Sequence, residues 1–133
     1  MRVVLDTNVL VSAVLGGTLQ AIWDKWISGA FTLVVSDEIL REYNDVLRRP
    51  KFGLAEDTVD DIISQLFHEA EFVTPAETLR VVTDDPDDDR FIAAAVEGGA
   101  TTIVSGDTHL LTLAGYREIK IVSARQFIEM LTA

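Results

Sequence analysis

The chain has 133 residues, a net charge of −11 and no cysteine. That length suits one domain with its own core, so a single domain over residues 1–133 is expected. The missing thiols exclude disulfides and thiolate metal sites, and the acidic surplus argues against a simple basic nucleic-acid-binding module. An enzyme that meets a polyanion through bound cations is not excluded. No apolar run is long enough to span a bilayer. Met1 through Asp6 turns polar too soon for a signal peptide, so a cytoplasmic protein is expected.

Arg2-Val3-Val4-Leu5 is a β-branched run without alternation, which predicts a strand buried on both faces of a parallel sheet. Gly16-Gly17 marks a break. Leu19, Ile22, Trp23, Trp26 and Ile27 recur at helical spacing and predict a helix over 18–28, ended by Gly29. Phe31 through Val35 is the second strand. Ser36 is a good N-cap, with Asp37 and Glu38 in the favourable first turn. Ile39, Leu40, Tyr43, Val46 and Leu47 form the buried stripe of the helix that follows. Pro50 and Gly53 make a loop. Val59, Ile62, Ile63, Leu66, Phe67 and Ala70 mark a helix over 55–70.

Phe72-Val73 and Leu79 through Val82 are short extended candidates, and Thr83 through Asp89 is an acidic loop. Phe91, Ile92, Ala95 and Val96 carry a helix to Gly98-Gly99. Thr101 through Val104 is a strand, a short helix covers Thr108–Leu113, and Ile119 through Val122 is the last strand. Ser123 and Gln126 have capping-box spacing ahead of a final helix with Phe127, Ile128 and Leu131 on its apolar face. Strands alternating with helices predict a three-layer α/β/α fold with a central parallel sheet and right-handed crossovers.

Four carboxylates fall at one end of this scheme. Asp6 follows the first strand. Glu42 lies on the flank of its helix's buried stripe, three residues after Ile39 and four before Val46. Asp89 opens the Phe91 helix on the side that packs on the sheet. Asp107 follows Gly106, just past the Thr101 strand. Ligands of open α/β sheets bind at the C-terminal ends of the strands, where strand order reverses. Converging carboxylates repel and raise each other's pKa unless a cation joins them. A hard divalent ion prefers such oxygen ligands, and two ions can activate a water and stabilise the leaving oxygen in phosphodiester cleavage.

Asp6-Thr7-Asn8 after a strand, Ser36 with Glu42, the run Asp85-Pro86-Asp87-Asp88-Asp89-Arg90-Phe91-Ile92-Ala93-Ala94, and Ser105-Gly106-Asp107-Thr108-His109-Leu110-Leu111 together resemble the PIN domain. The likeness is to small bacterial and archaeal PIN proteins described as toxins of toxin–antitoxin pairs. It covers nearly the whole chain and keeps the motif order. The resemblance implies strand order 3-2-1-4-5 and a ribonuclease that depends on Mg²⁺ or Mn²⁺. It implies that Asp6, Glu42, Asp89 and Asp107 are both catalytic residues and metal ligands. Thr7 matches a hydroxyl that helps hold the first Asp or a water, Asn8 a supporting polar position, and Ser36 accompanies Glu42. Within the Asp run Asp89 alone has the Asp-x-x-Ile-Ala spacing, with Asp85 and Asp88 as alternatives. The implied partners are an RNA substrate, an antitoxin protein and a second copy of the chain. The helices at 18–28 and 55–70 are the candidate dimer surface, and no membrane is involved.

Blander roles stand beside these. Asp6 suits a strand-end turn, the Asp run a helix cap, and Asp107 an N-cap compatible with a site role. His109 is a candidate base or phosphate contact, or an exposed residue near the site. His68 falls on a polar face, and Trp23 and Trp26 share an apolar stripe. Arg48, Arg49 and Lys51, with Arg41 upstream, are a basic cluster that either steers RNA or is a solvated face. Arg90 is placed to pair with a carboxylate or a phosphate. A haloacid-dehalogenase-type phosphatase needs a second Asp where this chain has Asn8, and a receiver-like switch needs a Lys after a late strand, which is not apparent. A PIN-fold module that cleaves poorly and acts through a protein partner is the alternative reading.

Overall fold

The computed structural model describes residues 1–76 and 89–132. Its strands are β1 (Arg2–Leu5), β2 (Thr32–Val35), β3 (Glu71–Phe72), β4 (Thr102–Val104), β5 (Gly115–Tyr116) and β6 (Ile119–Val122). Its helices are α1 (Thr7–Leu15), α2 (Gln20–Ile27), α3 (Asp37–Leu47), α4 (Glu56–Glu69), α5 (Asp89–Gly98), α6 (Thr108–Leu113) and α7 (Ala124–Thr132). The sheet order is β3-β2-β1-β4-β6-β5. Every neighbouring pair is parallel except β5 with β6.

The parallel part is the expected α/β sheet, with β6 in the place of the fifth strand. The difference from 3-2-1-4-5 is the added edge strand β5. Gly115-Tyr116 turns back on Ile119–Lys120 through Arg117-Glu118, with Arg117 at φ 56°. No Asn-Gly or Asp-Gly marks this hairpin, so the usual turn signal is missing. Phe72-Val73 is met by β3 at Glu71–Phe72, and the Val73 N–H extends the pairing to the Val35 carbonyl at 2.9 Å. The Leu79–Val82 candidate lies outside the described residues.

The chain after Asp6 does not run into open loop. Residues 7–15 form α1, which the sequence did not suggest. Val9, Leu10, Val11 and Ala13 are all buried there, so the helix shows no polar face and no helical periodicity. It packs against α2 and α3. The other expected helices form within a residue or two of their predicted ends. Ser36 caps α3, its Oγ accepting the Ile39 N–H at 3.2 Å. Ser123 and Gln126 close the expected capping box, at 2.9 and 3.2 Å. Phe67 departs from its predicted role, being 60% exposed and in edge contact with Phe72.

The core joins β1, β2 and β4 to the helices through Val3, Val4, Leu33, Val34, Ile92 and Ile103, all at most 1% exposed. Helix α5 packs across β1, β2 and β4. The chain moves outward from β1 to β2 and β3, then crosses back to β4 and on to β6. Right-handed crossovers in opposite directions place the two sets of helices on opposite faces. The order therefore reverses between β1 and β4, and the C-terminal ends of strands at such a reversal are where open α/β sheets bind ligands.

Candidate active site

Asp6 stands at this reversal. Its N–H continues the β1–β4 ladder to the Val104 carbonyl at 2.9 Å. Its side chain turns forward and caps α1, accepting the Val9 N–H at 3.1 Å. The Ser105 hydroxyl, from the residue after β4, also donates to the Asp6 carboxylate. Ser105 Oγ in turn accepts the Asp107 N–H at 2.9 Å, and Asp107 Oδ1 accepts the Leu110 N–H at 3.3 Å at the start of α6. Asp6, Ser105 and Asp107 thus form one connected group across β1 and β4.

Asp6 is 5% exposed. Burial raises its pKa above the ordinary carboxylate value, and the charge of Asp107 adds to the rise. Hydrogen bonds from Ser105 and from the Val9 and Asn8 N–H groups act in the opposite direction without cancelling it.

Glu42 is held beside this group. It lies on the flank of α3, its side chain 27% exposed, as the helical spacing predicts. The Thr7 hydroxyl donates to its carboxylate. Arg90 Nη1, from the first turn of α5, stands 3.4 Å from Glu42 Oε1. Thr7, for which the resemblance implied a hold on the first Asp or on a water, thus pairs with Glu42. Tyr43, the next residue on α3, is fully buried and donates its hydroxyl to the Leu5 carbonyl, directly before Asp6. Burial, then the charges of Asp6 and Glu42, push its phenol well above the usual range. Tyr43 therefore feels both carboxylates.

Asp89 is the first residue of α5 and is 6% exposed, next in sequence to Arg90. Asn8 is exposed, and its backbone N–H, not its amide, serves Asp6. Ser36 is buried at the α3 cap and contributes through the placement of that helix. Asp85 and Asp88, and the side chain of His109, lie outside the described residues. His68 is exposed, and Trp26 is in the core, in edge contact with Trp23.

Among the described residues no group of three or more His, Cys, Asp or Glu side chains is arranged to hold a metal ion. Asp6 and Asp107 are connected through Ser105, while Glu42 is turned to Thr7 and Arg90. The donor chemistry of the pair still suits a hard cation: carboxylate oxygens, one of them buried and repelled by its neighbour. Sequence reasoning had given Ser105 and Tyr43 no role at the site. A serine directly between a strand end and a site Asp was the available signal for the first. Nothing in the sequence marks the second, which reads as one more residue of a buried stripe.

A parallel α/β domain with buried carboxylates at its switch point is the class of protein these features define. The family model of the PIN domain matches residues 2–109, and the chain belongs to that family. PIN domains are generally metal-dependent nucleases. The fold is similar to that of PAE2754 from Pyrobaculum aerophilum, with a TM-score of 0.63 and 17% identity, covering 99% of this chain and 90% of that one. It is also similar to a chain of VapBC2 from Rickettsia felis, crystallised bound to a DNA fragment from their promoter, with a TM-score of 0.61 and 15% identity, covering 92% of this chain and 98% of that one. No curated protein matches the chain. Among the described residues no helix is long and apolar enough to cross a membrane.

Proposed function

We propose that this protein is a Mg²⁺- or Mn²⁺-dependent endoribonuclease of the cytoplasm and the toxin of a toxin–antitoxin pair. The observation that carries the reading is the burial of Asp6 beside Asp107 at the switch point of a PIN domain. Both carboxylates cap helices, but Ser or Asn would cap without the repulsion, which a cation or a proton relieves. Asp6 and Asp107 are the first ligands we assign to a divalent ion, with Asp89 and Glu42 completing the set. Such an ion, when bound, supplies water activation and charge stabilisation for phosphodiester hydrolysis. Ser105 orients the Asp6 carboxylate, and Thr7 orients that of Glu42. Arg90 balances Glu42 and lies where a phosphate oxygen of the substrate would approach. The likeness to a VapBC2 chain supports an antitoxin partner. The dimer assigned to α2 and α4 draws support from the exposure of Ile27 and Phe67 on those helices.

The purified protein should cut single-stranded RNA in Mg²⁺ or Mn²⁺, lose that activity in EDTA, and lose it on Asp6→Asn without unfolding. Full cleavage by Asp6→Asn, or in EDTA, sinks the mechanism. One observation favours a second reading, a catalytically weak PIN module acting through a protein partner: no three carboxylates among the described residues are arranged around one point. Titration calorimetry with Mn²⁺ separates the two, since the weak module predicts no heat of binding that depends on Asp6.

A further inference from the structure

A groove of about 420 Å³ opens beside Glu42 along α3. Glu38, Arg41, Glu42, Asp45 and Arg49 line one side, and Arg90 faces them from α5. Positions 38, 41, 42, 45 and 49 share one helical face, and the last continues it beyond the end of α3. In a chain with only 11 Lys and Arg against 22 Asp and Glu, three arginines gather in this one groove. Arg48, the adjacent residue, turns away to Asp60 at 2.6 Å. Arg41 reaches only an exposed pair with Asp37, and Arg49 makes no ion pair among the described residues.

We infer that this groove carries the RNA strand away from the scissile phosphate, with Arg41 and Arg49 binding its flanking phosphates. The inference rests on the nuclease reading and adds to it the strand's path and the side chains that hold it. From Glu42 to Arg49 is about 10 Å along the helix axis, which leads from the catalytic end of the groove to its far end. Glu38, Glu42 and Asp45 match its three arginines in number, so the groove does not pull polyanions from a distance. Its arginines act at contact, where a planar guanidinium takes two phosphate oxygens at once. The surface pairs around them are weak enough to exchange for phosphate. An acidic protein segment is the competing occupant.

The test measures cleavage of a fluorescent single-stranded oligoribonucleotide by the wild type, Arg41→Gln, Arg49→Gln and the double variant. Both arginines are exposed, so the variants should fold normally. Arg125→Gln, an exposed change of equal charge on α7, is the control. KM should rise about five- to tenfold for each groove arginine with kcat nearly unchanged, as expected for one lost charge-assisted contact. The slope of log affinity against log salt should fall by about 0.7 per arginine removed, measured by anisotropy in the Asp6→Asn background. A wild type that cuts RNA, with groove variants matching Arg125→Gln in KM and salt slope, overturns the groove and leaves the nuclease. A wild type that neither binds nor cuts RNA overturns both. Groove variants that lose an acidic peptide but keep the wild-type KM for RNA overturn the assignment to nucleic acid.

Discussion

Asp6→Asn removes a charge that the fold holds against its own burial. The carboxylate is 5% exposed and stands near Asp107, and its raised pKa records the combined penalty. In the window between the unfolded and folded pKa values the native state binds more protons than the unfolded chain. Stability from this group is therefore greatest below the unfolded value, about 3.9 for an Asp, and is lost as pH rises through the folded one. The slope in that window approaches about 1.4 kcal/mol per pH unit, and each unit of elevation is worth about the same at neutral pH. Asparagine does not titrate. Its amide oxygen can still accept the Val9 N–H, and its NH₂ can turn to Ser105 Oγ. Urea unfolding of both proteins in EDTA, from pH 3.5 to 8, reads the difference directly. The variant should match the wild type at the acid end and exceed it at neutral pH. Divalent metal should then reverse the order, since a ligand at about 100 times its Kd adds about 2.7 kcal/mol to the wild type alone. A stability difference that does not change with pH refutes the reasoning. So does a variant less stable than the wild type at pH 7 without metal.

Two further changes probe the frame around the site. Tyr43→Phe deletes the hydroxyl that donates to the Leu5 carbonyl in a fully buried setting, and should cost about 1–3 kcal/mol by chemical denaturation. A neutral result would mean that this contact does not hold the end of β1. Gly98→Ala places a methyl 2.6 Å from Val34 Cγ1, where α5 ends against β2. Overpacking of that kind should cost about 1–3 kcal/mol, and a melting temperature equal to wild type would show that Val34 yields freely.

Much of the local structure of this chain was legible in its sequence. Three carboxylates following strands or opening a helix, a fourth on a helix flank, a capped α3 and a final capping box all follow from local rules of spacing and hydrogen bonding. Glu42 could be assigned to a helix flank because one face of α3 is apolar and the other polar. Helix α1 escaped the same reasoning because it is buried on several sides, which erases the periodic signal. The β5–β6 hairpin escaped because its turn carries none of the usual residues.

The tertiary structure decided how the carboxylates meet. Residue type and order put Asp6, Glu42, Asp89 and Asp107 at one end of a sheet, and spacing along the chain carries that far. Which of them share hydrogen bonds depends on side chains from distant segments. Ser105 reaches Asp6 across 99 positions of sequence, and Thr7 reaches Glu42 across 35. Those contacts exist only once β1 pairs with β4 and α1 packs on α3. The sequence by itself placed acidic residues at the switch point. The packing of the strands and helices joined a buried Asp6 to Asp107 through Ser105 and set Glu42 against Arg90.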